Sequence, residues 1–389
     1  MRLLELIFWA SALVVNYSYA GYPLLLLALS ALRKPSVPPP EPQARTDWPQ
    51  VTVLVAAHNE ERDIAARVRN LLDQDYPAER LRVLVGSDGS SDATVDIVRA
   101  LREQGAERVQ LQAFTQRRGK ASVLNDLVAL ASPETEILVF TDANTSFAPD
   151  ALRQLLCHFS VPEVACVCGE LRLMGSGGDN QDHIYWRYER MLKRHESRLG
   201  ALLGANGGVY ALRRSAYHAI PANTIVDDFW IAMQVYEAGQ RCVYEREALA
   251  FEATPERVGE EFRRRVRIGM GNYQALTRFA GLLHPRHGAL ALALLSHKVL
   301  RWLAPQAMLL ALASNALLAA EPFYALLLLA QLLFYAAAAL GWVMSRHGTA
   351  PRALRLPLFF VSMNLALLLG CWHYLRGGAS GIWARSARG

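Results

Sequence analysis

Asp142 and Asn144, in Phe140-Thr-Asp-Ala-Asn144, put two oxygen donors two residues apart where an apolar run ends. On a turn, two such donors can reach one hard cation, and Mg2+ keeps few protein ligands, taking the rest from diphosphate and water. Taken alone, such a pair is more often an ordinary turn cap. Other polar groups stand at the same kind of place. Asn59 and Glu60 follow Val51–Ala57, Asp88 follows Val83–Ser87, and Lys120 stands behind Gly119. Asp88 can accept hydrogen bonds from a base edge or a ribose hydroxyl while Gly89 lets the chain turn close to a ligand. Lys120 offers a point charge to a phosphate. Each also has a plain reading as a loop residue or a solvated lysine; their order and spacing together describe a rim for a nucleoside diphosphate and a metal.

Val226-Asp227-Asp228 adds adjacent carboxylates at the start of an amphipathic segment. Such acids are commonly helix caps, stabilised by the helix dipole by about 0.3–1 kcal/mol. A general base needs one carboxylate within hydrogen-bond reach of the proton it removes, and Asp228 is the candidate, with Asp227 as cap or structural partner. Gly204-Ala-Asn-Gly207-Gly208 is either a plain turn or a loop whose missing side chains let an acceptor approach the backbone. In Arg263-Arg-Arg-Val-Arg267, Arg264 and Arg267 share a helical face. They fit a basic membrane-facing surface, a diphosphate clamp, or both.

The elements that must position these groups are apolar runs of about six residues, each followed by helical periodicity and a polar hinge. That pattern predicts an α/β domain with a mainly parallel sheet, which binds ligands at the carboxyl ends of its strands. Helices are expected over Glu60–Asp73, Asp92–Arg102, Lys120–Leu130, Ala151–Phe159 and from Tyr185 onward. Further strands are expected at Arg108–Phe114, Ile137–Thr141 and near Val164–Met174, and two short ones at Arg241–Glu245 and Ala248–Glu252. The regularity breaks at Gly175–Asp179, and Glu256–Phe279 reads as an arginine-rich helix.

The chain has 389 residues, a net charge of +6 and a hydrophobic fraction of 52%. The apolar excess lies at the two ends: Leu6–Leu32, Trp302–Ala320, Pro322–Ser345 and Leu356–Leu375 carry no charge and are long enough to cross a bilayer core. The basic residues concentrate beside these segments, and no nucleic-acid motif accompanies them, so membrane lipids rather than nucleic acid are the expected partner of the charge. Arg33 and Lys34 after the first span place the following domain in the cytoplasm. The five cysteines lack zinc-type spacing and read as reduced structural residues. The expected organisation is a transmembrane anchor at 1–34, a proline-rich linker at 35–48, a cytoplasmic domain at 49–282, an interfacial helix at 283–301, transmembrane helices at 302–375 and a basic tail at 376–389. Three C-terminal spans would put the tail outside, while Arg376, Arg385 and Arg388 favour the inside; the sequence leaves that conflict open.

Over roughly Val51–Ala275 the motifs resemble those of the membrane-bound family-2 glycosyltransferases, the group of cellulose, chitin, hyaluronan and bacterial exopolysaccharide synthases. The resemblance implies a GT-A-like nucleotide-sugar domain in a multi-pass protein of the inner, cytoplasmic membrane. Its expected cofactor is Mg2+ or Mn2+, its donor a nucleotide-diphosphate sugar, UDP-sugar above all, and its acceptor a lipid or polysaccharide. It implies that Asn59 and Glu60 line the base pocket, that Asp88 contacts the nucleoside, and that Lys120 lies near the diphosphate with Arg264 and Arg267. It further implies that Asp142 and Asn144 hold the metal, that Asp228 is the base, and that Asp227, Gly207 and Gly208 face the acceptor. Two departures stand out. Asn144 replaces a charged metal ligand by a neutral one, and Arg264-Arg-Val-Arg-Ile268 stands where processive synthases carry Gln-x-x-Arg-Trp. The second departure favours addition of one sugar, or a few, over a long chain. The rival readings are a single-addition transferase acting on a membrane lipid, a catalytically inactive nucleotide-binding subunit and, more distantly, a transporter.

Overall fold

The computed structural model describes residues 1–37, 47–174, 181–253, 258–346, 348 and 350–378. Most of the expected linker, the break at Gly175–Asp179, the start of the helix expected from Glu256, and the tail with Arg385 and Arg388 lie outside the described residues. The chain forms two compact units: a helical one from Met1–Leu32, Gly178–Leu192 and Arg257–Gly378, and an α/β one from residues 33–177 and 193–256.

The chain opens with α1 (Arg2–Asn16), a π-helical turn at Tyr17–Gly21 and α2 (Tyr22–Leu32). The α/β unit then runs β1 (Val51–Ala57), α3 (Ile64–Leu72), β2 (Leu81–Asp88), α4 (Thr94–Glu103), β3 (Val109–Phe114), α5 (Lys120–Leu130), β4 (Ile137–Asp142), β5 (Thr145–Phe147), α6 (Ala151–Leu156) and β6 (Val164–Met174). After α7 (Gln181–Arg198) come β7 (Tyr210–Arg213), α8 (Asp227–Glu237) and β8 (Arg241–Ala253). The eight strands lie in the order β3-β2-β1-β4-β7-β6-β8-β5.

The first half of this sheet is parallel: β1 pairs with β2 and β4, and β2 with β3. β1, β4 and the middle of β2 read as apolar runs because helices cover both faces, whereas the edge strand β3 carries Gln110 and Gln112. Val53, Val55, Val83 and Val85 pack with Ile64 and Val68 of α3 in one core. The second half is mixed. β7 runs antiparallel to β4 and β6, β8 is parallel to β6, and β5 returns antiparallel to β8. The two short strands expected at Arg241–Glu245 and Ala248–Glu252 are one strand, β8, with a bulge where its pairing jumps from Glu245 to Leu249. Neither β5 nor β7 is expected from the sequence, since each is only a few residues long.

In the helical unit, α9 (Val258–Phe279) leads through two 3-10 turns to α10 (Ala289–Ala293), a π-helical segment Leu294–Val299 and α11 (Leu300–Leu317). Two long helices follow, α12 (Pro322–Arg346) and α13 (Arg352–Leu375). Among the described residues three helices are long and apolar enough to cross a membrane: Arg2–Leu32, Pro322–Arg346 and Arg352–Leu375. The stretch Trp302–Ala320 is not one of them. It belongs to the helical run from Ala289 to Leu317, in which Arg301 is buried against Glu189 and α11 packs along α1.

Helices α9 and α13 approach closely at glycines, as small residues permit in apolar bundles. A Cβ on Gly370 would lie 2.7 Å from the Met270 nitrogen and 2.8 Å from the Val266 oxygen. Gly370→Leu therefore forces backbone apart, at a cost of about 1–3 kcal/mol. It is expected to lower the thermal midpoint in detergent, whereas Gly281→Ala, with nothing within 4 Å of the added atom, is expected to leave it unchanged. Equal midpoints would remove this account of the crossing.

Candidate active site

Lys120 is the first residue of α5, delivered by Gly119, whose φ of 94° is a conformation that side chains resist. Its Nζ donates to Asp142 Oδ1 at 2.9 Å, where β4 ends. The same ammonium stands 3.3 Å from Asp227 Oδ2 at the start of α8, an ion pair without hydrogen-bond geometry. Asp227 is buried, while the side chain of Asp142 remains 34% exposed. Asp228 is half-buried and its Oδ1 accepts from the Phe229 N–H at 2.7 Å. Burial raises the Asp228 carboxyl above its ordinary value, and the charge of Asp227 adds to the rise while Lys120 opposes it. Burial works against the charge of Lys120, but Asp142, Asp227 and Asp228 outweigh it and hold the ammonium well above the usual lysine range.

The glycine loop reaches the same place. A Cβ on Gly207 would lie 3.3 Å from Asp228 Oδ2 and 3.8 Å from Lys120 Nζ, and one on Gly208 would lie 2.8 Å from Thr145 Oγ1. Backbone, not side chain, therefore faces the carboxylates here. The loop is pinned by Asn206, whose Nδ2 donates to the Gly169 carbonyl at 2.6 Å and whose Oδ1 accepts from Lys193.

Asn59, Glu60 and Asp88 form a second cluster at the ends of β1 and β2. Asn59 holds a φ of 56°, which asparagine tolerates better than most residues. Its Oδ1 accepts from the Ser91 N–H at 2.8 Å, and the Glu60 N–H donates to Thr94 Oγ1 at 2.8 Å, tying the two strand-end loops together. Asp88 is fully buried. Its two carboxylate oxygens accept from the Arg118 and Gly119 N–H groups at 2.7 and 2.9 Å, so it fixes the turn that presents Lys120.

Residues 52–220 match the family described as Glycosyl transferase family 2, and residues 137–369, more than half of the chain, match Glycosyl transferase family group 2. The chain is a family-2 glycosyltransferase. It is 27% identical over 236 residues to the poly-beta-1,6-N-acetyl-D-glucosamine synthase of Staphylococcus aureus strain COL, and 26% identical over 236 residues to that of Staphylococcus epidermidis. In each case the match covers 59% of this chain and 56% of the relative, so the chain spans little more than half the length of the curated relatives it matches. Among solved structures it is similar to a mannosyltransferase from Pyrobaculum calidifontis in complex with GDP-Man and Mn2+, with a TM-score of 0.74 and 25% identity, covering 96% of this chain and 99% of that one. The α/β unit has the GT-A-like fold of that neighbour.

The donors of this transferase fit a divalent cation held sparsely. Asp142 and Asn144 leave one short turn between β4 and β5, and a buried Asn144 amide nitrogen has no hydrogen-bond partner among the described residues. A half-turn of that amide presents its oxygen instead. No group of three or more His, Cys, Asp or Glu able to hold a metal occurs among the described residues. The protein would thus supply one carboxylate and one amide, and the bound diphosphate and water the remainder.

Arg264 and Arg267 belong to the helical unit, on α9. Arg264 lies 3.7 Å from Glu261, and Arg267 is partly exposed. Sequence reasoning misses Arg67, Thr141, Lys193, Asn206 and Tyr210. Tyr210 is fully buried with its ring stacked on Phe140, and its hydroxyl has no partner among the described residues. Arg67 does leave a trace, since it falls on the same helical stripe as Ile64, Val68 and Leu71, where an apolar residue belongs.

Because both Asp88 oxygens are in use, Asp88→Asn turns an amide N–H2 toward an N–H donor. The expected loss is about 1–3 kcal/mol of stability, read as a lower urea midpoint, together with weaker binding at Lys120. An unchanged midpoint would show that the Arg118–Gly119 turn is held by other contacts.

Proposed function

We propose that this chain is an inverting, metal-dependent glycosyltransferase. It moves a sugar from a nucleoside-diphosphate donor to a lipid-linked or growing polysaccharide acceptor at the cytoplasmic face of the membrane. The observation that carries this reading is the Lys120 ammonium set between Asp142 and Asp227 with Asp228 and the Gly207 backbone beside it. In the reaction the acceptor oxygen bonds to the anomeric carbon from the face opposite the leaving group, the bond from that carbon to the phosphate oxygen breaks, and the nucleoside diphosphate departs. Asp228 takes the acceptor proton. Lys120 offsets charge developing on the diphosphate, an electrostatic contribution that works best in a site already organised for it. The cation, when bound on Asp142 and Asn144, would supply further charge stabilisation there. Asn59, Glu60 and Asp88 organise the end of the site where the nucleoside would lie.

Charge and parity support that orientation. Arg33 and Lys34 close the first candidate span, and two C-terminal crossings return the chain, with Arg376, to the side of the α/β unit. The similarity to polysaccharide synthases supports a glycan product. Arg264 and Ile268, where processive synthases carry glutamine and tryptophan, support the second reading of one or few additions to a membrane lipid. The neighbour with GDP-Man makes a guanosine donor as much a candidate as a uridine one.

The deciding experiment supplies purified protein in detergent with Mn2+ or Mg2+, UDP- and GDP-sugars and membrane lipid extract, and follows nucleoside diphosphate. Lipid-dependent release with label in a short organic-soluble product supports single addition, and material of high mass supports a synthase. Donor binding without release would replace both by the inactive subunit. Chelator is expected to stop release and added Mn2+ to restore it.

Asp228→Asn is expected to lower transfer by about 10²–10⁴-fold with donor binding retained; normal transfer would remove the assigned role. Asp228 acts as a base only when ionised, and its carboxyl lies above the ordinary value through burial and then Asp227. Rate should therefore rise with pH through an acid limb above the usual range of about 3.9. Asp227→Asn should move that limb to lower pH, and an unmoved limb would mean that another group sets it.

A further inference from the structure

Arg67 is 2% exposed, in the middle of α3, and among the described residues no carboxylate lies within ion-pair distance of it. A guanidinium so placed is costly to bury, and a leucine on the same stripe would pack against the sheet without that cost. What it does instead is reach both flanks of the Asp142–Asn144 turn.

One arm, Nη2, donates to Thr141 Oγ1 at 2.7 Å, and the Thr141 hydroxyl donates onward to the Gly208 carbonyl at 2.7 Å. The other arm, Nη1, donates to Asn70 Oδ1 at 2.6 Å. Asn70 brackets the backbone of Phe147, accepting from its N–H at 2.8 Å and donating to its carbonyl at 2.9 Å. The guanidinium plane lies over the Phe147 ring, 4.2 Å from its centre. Burial pulls Arg67 down to about 9, with the charge of Asp142 opposing the fall, so it stays protonated at neutral pH. Its charge strengthens the two-step chain through Thr141, because each bond polarises the next.

We propose that Arg67 is a positioning residue for glycosyl transfer. Through Thr141 it fixes the Gly208 carbonyl, and through Asn70 the Phe147 backbone, so that the Asp142–Asn144 turn and the Gly207–Gly208 backbone keep station beside Lys120 and Asp228. The planar fork of arginine serves two acceptors at once, which a lysine ammonium on one flexible stem does not. The Gly208 carbonyl is the sensitive point. The Val209 N–H closes a turn onto the Asn206 carbonyl at 2.8 Å, and that turn is otherwise held through Asn206 and through the Val209 carbonyl, which accepts from Gly169. Cutting the Thr141 bond frees its centre while leaving its ends attached.

The test uses the full chain in detergent with Thr141→Val, Arg67→Met, Arg67→Lys and the Thr141→Val/Arg67→Met double variant. Thr141→Val is close in shape to the original and keeps the molecule intact if Arg67→Met does not fold. Amide hydrogen exchange across residues 206–209 is expected to quicken at least tenfold in Thr141→Val and in Arg67→Met, with β1 unchanged; Arg67→Lys should fall between them and the wild type. This arm needs no substrate. The kinetic arm rests on the proposed transfer activity: kcat is expected to fall at least tenfold with donor KM within twofold, and the double variant to be no worse than Arg67→Met. Unchanged exchange at 206–209, or kinetic losses that multiply in the double variant, would overturn the relay. A wild type that turns over no donor would instead remove the proposed function, with the exchange result still deciding the role of Arg67.

Discussion

Everything in the α/β unit converges on the fact that the Lys120 ammonium is set between carboxylates delivered by different elements. Asp142 arrives on the last residue of β4, Asp227 on the first of α8, and Lys120 on the first of α5. Far apart in sequence, these groups meet only if the sheet has its observed order and α8 starts where it does. Like charges so close would repel one another and draw in water; the ammonium makes the arrangement tolerable, and the arrangement in turn keeps the ammonium charged. Asp88, lying beneath, serves the same end by engaging the two N–H groups just before Lys120.

The polar residues divide by depth. Those with open surface, Asp142 and Asp228, can meet a ligand. Those without it, Asp88 and Arg67, hold backbone in place. Both spend their hydrogen bonds on main-chain atoms or on side chains that do. Main chain bonded in this way loses little freedom when substrate arrives, which is what a site working by placement and charge requires.

Much of this was readable from residue order, for reasons that differ by element. The centre of the parallel half, β1, β2 and β4, shows itself because strands covered on both faces carry long apolar runs. β5 and β7 do not, because three or four residues carry no period, and β8 reads as two strands because its pairing with β6 skips from Glu245 to Leu249 across the charged Arg246 and Glu247. Asp142, Lys120, Asp227 and Asp228 stand out in the sequence because charged residue types fall where an apolar run ends or a helix begins; that Lys120 lies between Asp142 and Asp227 does not show there. What Asp88 serves is not, since backbone N–H donors leave no mark in a sequence. The same holds for the helical segment after Trp302: its apolar length is visible, but the pairing of Arg301 with Glu189 that seats it among other helices is not.

The carboxylates around Lys120 also set the charge that any visitor meets. With Asp142, Asp227 and Asp228 all ionised against one ammonium, the cluster is anionic. A lone anion approaching it is opposed and a cation is drawn in, so this corner of the sheet sorts its visitors by charge before any side chain touches them.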